Sequence, residues 1–160
     1  MKKTTQLMAS MILLSTLLFG DLNNYSSKLF NDLQLVNQQK DYINEMGRIL
    51  KSELNDKDSL KTSKKLFNKL LTKLVVENKE LILNPNEIRK IRQKSNRLKR
   101  LWKEEHECLE VAFSDNRSRL KAINTIDKMN FYMRGIVSVY SKSYSRHQEQ
   151  SGRKNLIAMN

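Results

Sequence analysis

The spacing of the large apolar residues constrains the fold of this chain more than any other feature. Two sets of them recur at intervals of seven residues: Leu22, Leu29, Val36, Ile43 and Leu50, and then Leu60, Phe67, Leu74 and Leu81. An interval of seven places the members of a set on one side of an α-helix. The first half of the chain is therefore predicted to form two helices, each with one apolar stripe that must pack against another helix.

The second half of the chain carries two further stripes, whose members alternate by three and four residues. They are Ile88, Ile91, Ser95, Leu98, Trp102, Glu105, Leu109 and Ala112, and then Ile123, Ile126, Asn130, Met133, Val137, Tyr140 and Tyr144. Asn84, Pro85 and Glu87 give the third helix a capping-box start with proline at its first position. Residues 55–59 and 114–116 have the composition of turns. These features predict an all-α fold, either an antiparallel helical bundle or a long helical hairpin with shorter helices packed on it.

Two of the stripe positions are polar and have two interpretations. Glu105 and Asn130 interrupt otherwise apolar stripes. Such residues can fix the register between paired helices. Equally, the stripe can rotate at these points, so that both side chains face water.

The first twenty residues have the layout of a secretory signal peptide. Lys2 and Lys3 precede an apolar run from Leu7 to Phe19, and Gly20-Asp21 ends that run. The run is about 13 residues long, shorter than the roughly 20 that cross a bilayer as a helix. We therefore expect cleavage near Gly20, with an uncleaved anchor as the alternative. The chain is predicted to reach the periplasm or cell surface of a bacterium as a helical domain over residues 21–147 with a mobile polar tail over residues 148–160.

A dense group of cations occupies the third predicted helix. The eight residues of this basic cluster are Arg89, Lys90, Arg92, Lys94, Arg97, Lys99, Arg100 and Lys103. Such a surface can bind a polyanion, such as anionic lipid, polysaccharide or nucleic acid, because contact releases counterions. The chain as a whole is basic, however, with a formal charge of +13, and lysines are also frequent between Lys61 and Lys73. A solvated helix face is therefore the favoured interpretation, and no specific nucleic acid is expected.

The sequence offers little for catalysis. His106 and Glu110 are one helical turn apart, but the zinc-protease pattern requires a second histidine at that fourth position. Cys108 is the single cysteine, and it is expected either to be a half-buried apolar residue or to form an intermolecular disulfide. The sequence has no Gly-rich phosphate loop and no nucleophile elbow. We therefore expect a non-enzymatic protein without a metal or another cofactor.

The organisation of the chain is similar to that of a known family. An export signal, a long helix with the Asn/Gln-rich stretch 33–39, a hairpin and a polar tail with Gln148 and Gln150 resemble the minor pilus subunits of type IV secretion and conjugation systems. The resemblance implies a helical protein that spans the envelope or sits at a pilus tip and contacts other secretion components or a recipient cell. It is a resemblance of architecture, and it transfers no functional residue.

Two classes of function follow from this sequence. The leading hypothesis is an exported assembly or adhesion component that binds envelope or secretion-system proteins, or itself, through apolar helix faces. The alternative is a cationic helical module that binds an anionic surface or another polyanion. A small periplasmic inhibitor or immunity-type protein is a third, less favoured interpretation.

Overall fold

The chain folds as an all-α protein in a computed structural model. The structure describes the backbone of residues 2–71 and 83–158 and the side chains of residues 27–71 and 83–150. Its helices are α1 (Lys2–Lys51), α2 (Lys57–Leu71), α3 (Pro85–Glu105) and α4 (Asn116–Ala158), with a short 3-10 helix over His106–Leu109. The described residues contain no strand. The all-α prediction is therefore confirmed.

Side chains just before three of the helices satisfy backbone N–H groups that would otherwise lack partners. Asn84 accepts a hydrogen bond from the backbone of Glu87, whose carboxylate accepts one from the backbone of Asn84, which completes the predicted capping box. Asp56 accepts from the N–H of Ser59 at 2.9 Å. Asp115 accepts from the N–H of Ser118 at 2.8 Å. The predicted helix start at Asn84 is therefore confirmed, and the segments 55–59 and 114–116 each contain the start of a helix.

Helices that are adjacent in the sequence and helices that are far apart in it both pack antiparallel to each other. The side-chain amide of Gln39 on α1 donates to the carbonyl oxygen of Leu70 near the end of α2. Helix α4 packs on both α1 and α3. Near the start of α3, Glu87 forms an ion pair with Arg146 towards the other end of α4. These contacts describe an antiparallel helical bundle built around the two long helices α1 and α4.

The predicted stripes supply the core wherever their side chains are described. Buried members on α1 and α2 are Leu29, Val36, Ile43, Leu50, Leu60 and Phe67. Buried members on α3 and α4 are Ile88, Ile91, Ser95, Leu98, Trp102, Ile126, Met133 and Tyr140, while Ile123, Val137 and Tyr144 are half-buried against them. The side chains of Leu22, Leu74 and Leu81 lie outside the described residues. The period of seven therefore identified the buried face of each helix.

The limits of the helices differ from the prediction at several places. Helix α3 ends at Glu105, and the chain tightens into the 3-10 helix before turning, although the stripe predicted a helix as far as Ala112. Leu109 and Ala112 are nevertheless buried, because the irregular backbone still directs them into the core. Helix α4 continues past His147 to Ala158, and α1 passes through Gly20-Asp21 without a break. The mobility of residues 148–160 stays a prediction.

Two glycines mark close approaches between helices. A Cβ atom on Gly47 of α1 would lie 3.2 Å from Cγ2 of Ile126 on α4. A Cβ atom on Gly135 of α4 would lie 2.5 Å from Cε of Lys94 on α3. Because glycine has no side chain, α1 can approach one side of α4 closely and the stem of Lys94 can lie against another side.

Candidate functional site

The basic cluster of α3 does not form a single surface. Successive residues are rotated by about 100° around a helix, so the eight cations lie on every side that the buried stripe leaves free. Arg92, Lys99 and Lys103 flank one edge of the stripe, and Lys90, Lys94 and Arg97 flank the other. This distribution surrounds the helix with charge, and of the eight cations Lys94 borders a concave surface of about 480 Å³, which α4 lines with Asp127, Phe131 and Arg134.

Lys94 and Arg100 of the basic cluster have intramolecular contacts. The ammonium of Lys94 lies 5.3 Å from the centre of the Phe131 ring, and its half-buried stem covers Gly135. Arg100 donates to Glu104 at 2.8 Å, one helical turn away. Lys94 therefore contributes to the packing of α3 on α4 through its stem as well as its charge.

A different set of lysines lines a concave surface between α2 and the end of α3. One part of it, of about 380 Å³, is bordered by Lys61, Lys64, Lys65, Asn68, Trp102, His106 and Glu110. An adjoining part of about 240 Å³ shares Lys61, Lys64 and Glu110 and extends to Lys57, Leu60, Leu109 and Phe113. We call these two parts together the lysine cleft. By sequence alone, Lys61, Lys64 and Lys65 belong to the general basic bias of the chain.

Aromatic packing forms one wall of the lysine cleft. The Trp102 ring meets Phe67 of α2 edge to face at 4.8 Å and stacks on His106 at 5.6 Å. Its indole N–H donates to Oδ1 of Asn68 at 2.9 Å. These contacts connect α2 to the end of α3. The wall is therefore part of the folded core and does not depend on a mobile loop.

One ion pair crosses the lysine cleft. Nζ of Lys64 lies 2.5 Å from a carboxylate oxygen of Glu110, and the Lys64 side chain is only 18% exposed. The pKa of the Glu110 carboxyl is lowered chiefly because it accepts this hydrogen bond, with the charge of Lys64 adding to the effect. The ion pair holds Lys64 in place, while Lys61 and Lys65 remain exposed on the same side of α2.

The polar residue Glu105 joins α3 to α4. Its carboxylate accepts a hydrogen bond from Thr125 at 2.6 Å and one from Lys128 at 3.3 Å. The pKa of Glu105 is lowered, first because of the Thr125 hydrogen bond. Its position between the two helices supports the interpretation that it fixes their register. Asn130, the other polar stripe residue, is half-buried, and its Oδ1 atom has no hydrogen-bond partner among the residues that the structure describes.

Cys108 lies inside the bundle. It is a free, buried cysteine in the 3-10 helix, and its Sγ atom is 3.5 Å from Oγ1 of Thr125. Of the two roles expected for it, the structure favours that of a small apolar residue. A disulfide with a second chain would require the 3-10 helix to open first.

Three exposed apolar side chains lie in the chain segments that meet at one end of the bundle. Leu54 in the α1–α2 turn is 76% exposed, Val111 after the 3-10 helix 51%, and Leu120 at the start of α4 59%. Arg119 brings these three segments together, because it donates to the carbonyl oxygen of Ser52 and lies over the Phe113 ring. We call Leu54, Val111 and Leu120 the turn-end patch.

In residues 27–71 and 83–150, no three His, Cys, Asp or Glu side chains come together as metal ligands. No helix in the described part of the chain has an apolar stretch long enough to cross a membrane. Comparison of the chain with protein-family models, curated proteins and solved structures gives no match. The resemblance to minor pilus subunits therefore stays a resemblance of sequence organisation.

Proposed function

We propose that this protein is an exported, non-enzymatic assembly or adhesion component of the bacterial cell envelope, which binds a protein partner through its turn-end patch. A minor pilus subunit of a type IV secretion or conjugation system is the specific role that its sequence organisation suggests. The observation that carries the proposal is the exposure of Leu54, Val111 and Leu120 in segments that meet at one end of the bundle. Apolar side chains gathered on a surface are typical of protein–protein contacts.

The position of the turn-end patch suits an assembly role. After cleavage near Gly20, residues 21–51 of α1 would still form a helix about 46 Å long, and the patch lies beyond its C-terminal end. A contact at the end of a long bundle joins it to a partner in line with its axis. Envelope and secretion-system proteins are the partners that an export signal and this geometry favour, with a second copy of the chain as the alternative.

The export step has a direct test. We expect the protein isolated from its native host to begin at or near Asp21, because the Lys2-Lys3 charge and the apolar run to Phe19 form a signal peptide. Intact-mass spectrometry of envelope and cytoplasmic fractions measures this. A soluble cytoplasmic chain that retains Met1 would contradict export.

The partner contact is tested by affinity capture from an envelope extract at about 0.5 M salt, where exposed charge attractions are largely screened. We expect the wild-type chain to retain its partner, because apolar contacts persist in salt, and the Leu120→Asp variant to lose it. Phe131→Asp is the matched control, since Phe131 is 67% exposed on the same helix but outside the turn-end patch.

Two results would contradict the proposed contact. Equal loss of the partner in Leu120→Asp and Phe131→Asp would show that the turn-end patch is not the binding surface. Loss of all specific partners from the wild-type chain at high salt would favour the polyanion alternative, because polyanion binding falls steeply with salt.

A further inference from the structure

We propose that the lysine cleft binds an oligophosphate group. The cleft is distinct from the basic cluster of α3 and shares no residue with the turn-end patch. It combines a concave shape, a row of ammonium groups and a fixed aromatic wall. This inference is independent of the proposed protein partner and can be tested separately from it.

The charges that line the cleft are unbalanced. Among the described residues that line it, Lys57, Lys61, Lys64 and Lys65 contribute four ammonium groups and Glu110 contributes one carboxylate. Lysines three or four residues apart lie next to each other on a helix and repel. An anion between them removes that repulsion, so the folded chain itself favours an occupant of opposite charge.

The arrangement of these lysines suits a linear anion. They follow α2 over residues 57–65, a distance of about 12 Å along the helix axis. A chain of linked phosphates carries closely spaced negative charges, and its oxygens accept charge-assisted hydrogen bonds from ammonium groups. A single carboxylate or sulfate would reach only part of the row.

The site is also partly organised before anything binds. Glu110 holds Lys64 across the cleft, and the Asn68–Trp102 hydrogen bond fixes the wall opposite Lys65. Fixed groups lose less conformational freedom on binding than mobile surface lysines do. A phosphate chain is therefore expected to bind the lysine cleft in preference to the other exposed lysines of this protein.

Calorimetric titration of the full-length chain with sodium tripolyphosphate at low ionic strength tests the proposal. We expect saturable binding of one tripolyphosphate per chain. Trp102 is the single tryptophan and lines the cleft, so its fluorescence should change over the same concentration range. A parallel titration with ATP distinguishes the source of the phosphates. Equal affinity indicates recognition of the phosphate chain alone, and tighter ATP binding indicates a nucleoside triphosphate.

Two double variants distinguish binding at the lysine cleft from general electrostatic attraction to this basic protein. We expect Lys61→Gln/Lys65→Gln to weaken tripolyphosphate binding about tenfold or more, since both lysines line the cleft. Lys90→Gln/Lys142→Gln removes the same charge from exposed positions on α3 and α4 outside the cleft, and should change affinity less than about twofold. Glu110→Gln should tighten binding, because it removes the competing negative charge while the side-chain oxygen of glutamine can still accept a hydrogen bond from Lys64.

Three results would overturn the inference. The first is the absence of saturable binding by the wild-type chain. The second is an equal loss of affinity in the two double variants, which would show that net charge alone attracts the anion. The third is binding without any change in Trp102 fluorescence, which would place the anion elsewhere on this basic protein.

Discussion

Leu98→Asp should prevent the bundle from folding. Leu98 is fully buried on the packed face of α3. Removing a buried leucine side chain costs about 3–5 kcal/mol, and a carboxylate without a partner in the same place adds a desolvation penalty. The sum approaches or exceeds the roughly 5–15 kcal/mol that stabilises a typical domain. Far-ultraviolet circular dichroism during thermal unfolding measures the result, with loss of the cooperative transition expected.

The matched control for this experiment is Leu120→Asp, which makes the same chemical change on an exposed surface. Leu120 is 59% exposed near the start of α4, so an aspartate there stays hydrated and should change stability by less than about 1 kcal/mol. Helicity and a transition temperature close to wild type are expected. If Leu98→Asp unfolded at the same temperature as the control, the burial of Leu98 in the core would be contradicted.

Trp102→Ala should destabilise the protein by about 3–5 kcal/mol. The residue is only 6% exposed, and its ring contacts both Phe67 and His106. Truncation to alanine removes this packing and leaves a cavity between α2 and α3. Denaturant titration measures the free energy of unfolding. We expect the midpoint denaturant concentration to fall, with little change in the slope of the free energy against denaturant concentration.

The Trp102→Phe variant separates ring packing from hydrogen bonding at the same position. Phenylalanine keeps an aromatic ring next to Phe67 but loses the indole N–H that donates to Asn68. Asn68 is exposed and can bind water instead, so a smaller loss of about 1–2 kcal/mol is expected. In the wild-type chain, a soluble quencher should quench the indole much less before unfolding than after it. Equal quenching of the folded and unfolded chains would contradict burial of Trp102.

Local physical chemistry made the helices and their starts predictable from sequence. The capping box of Asn84 and Glu87 involves only neighbouring residues, so its geometry follows from the residue types. The seven-residue spacing of Ile43 and Leu50 likewise identifies a buried face without reference to the partner helix. The capping box and the buried face are both present in the folded protein, because the packing of the helices favours the same conformations as the local sequence.

The end of α3 was less predictable, because the stripe continues through a change of backbone. Leu109 and Ala112 keep the expected spacing and are buried, yet the α-helix stops at Glu105. The turn towards α4 sets this limit, since the chain must reverse direction before Asp115 can cap the next helix. Periodicity alone cannot distinguish a continuous helix from a tightened turn that preserves the buried side.

The sequence by itself determined an all-α chain with four apolar stripes, and only the tertiary structure decided where charge could form a site. The dense basic cluster of α3 surrounds a convex helix, whereas the sparser lysines of α2 face Trp102 and Glu110 across a cleft. Residues 61 and 110 are far apart in the chain, so their approach depends on how α2 packs beside the end of α3. Charge density is a property of sequence, but concavity is a property of packed helices.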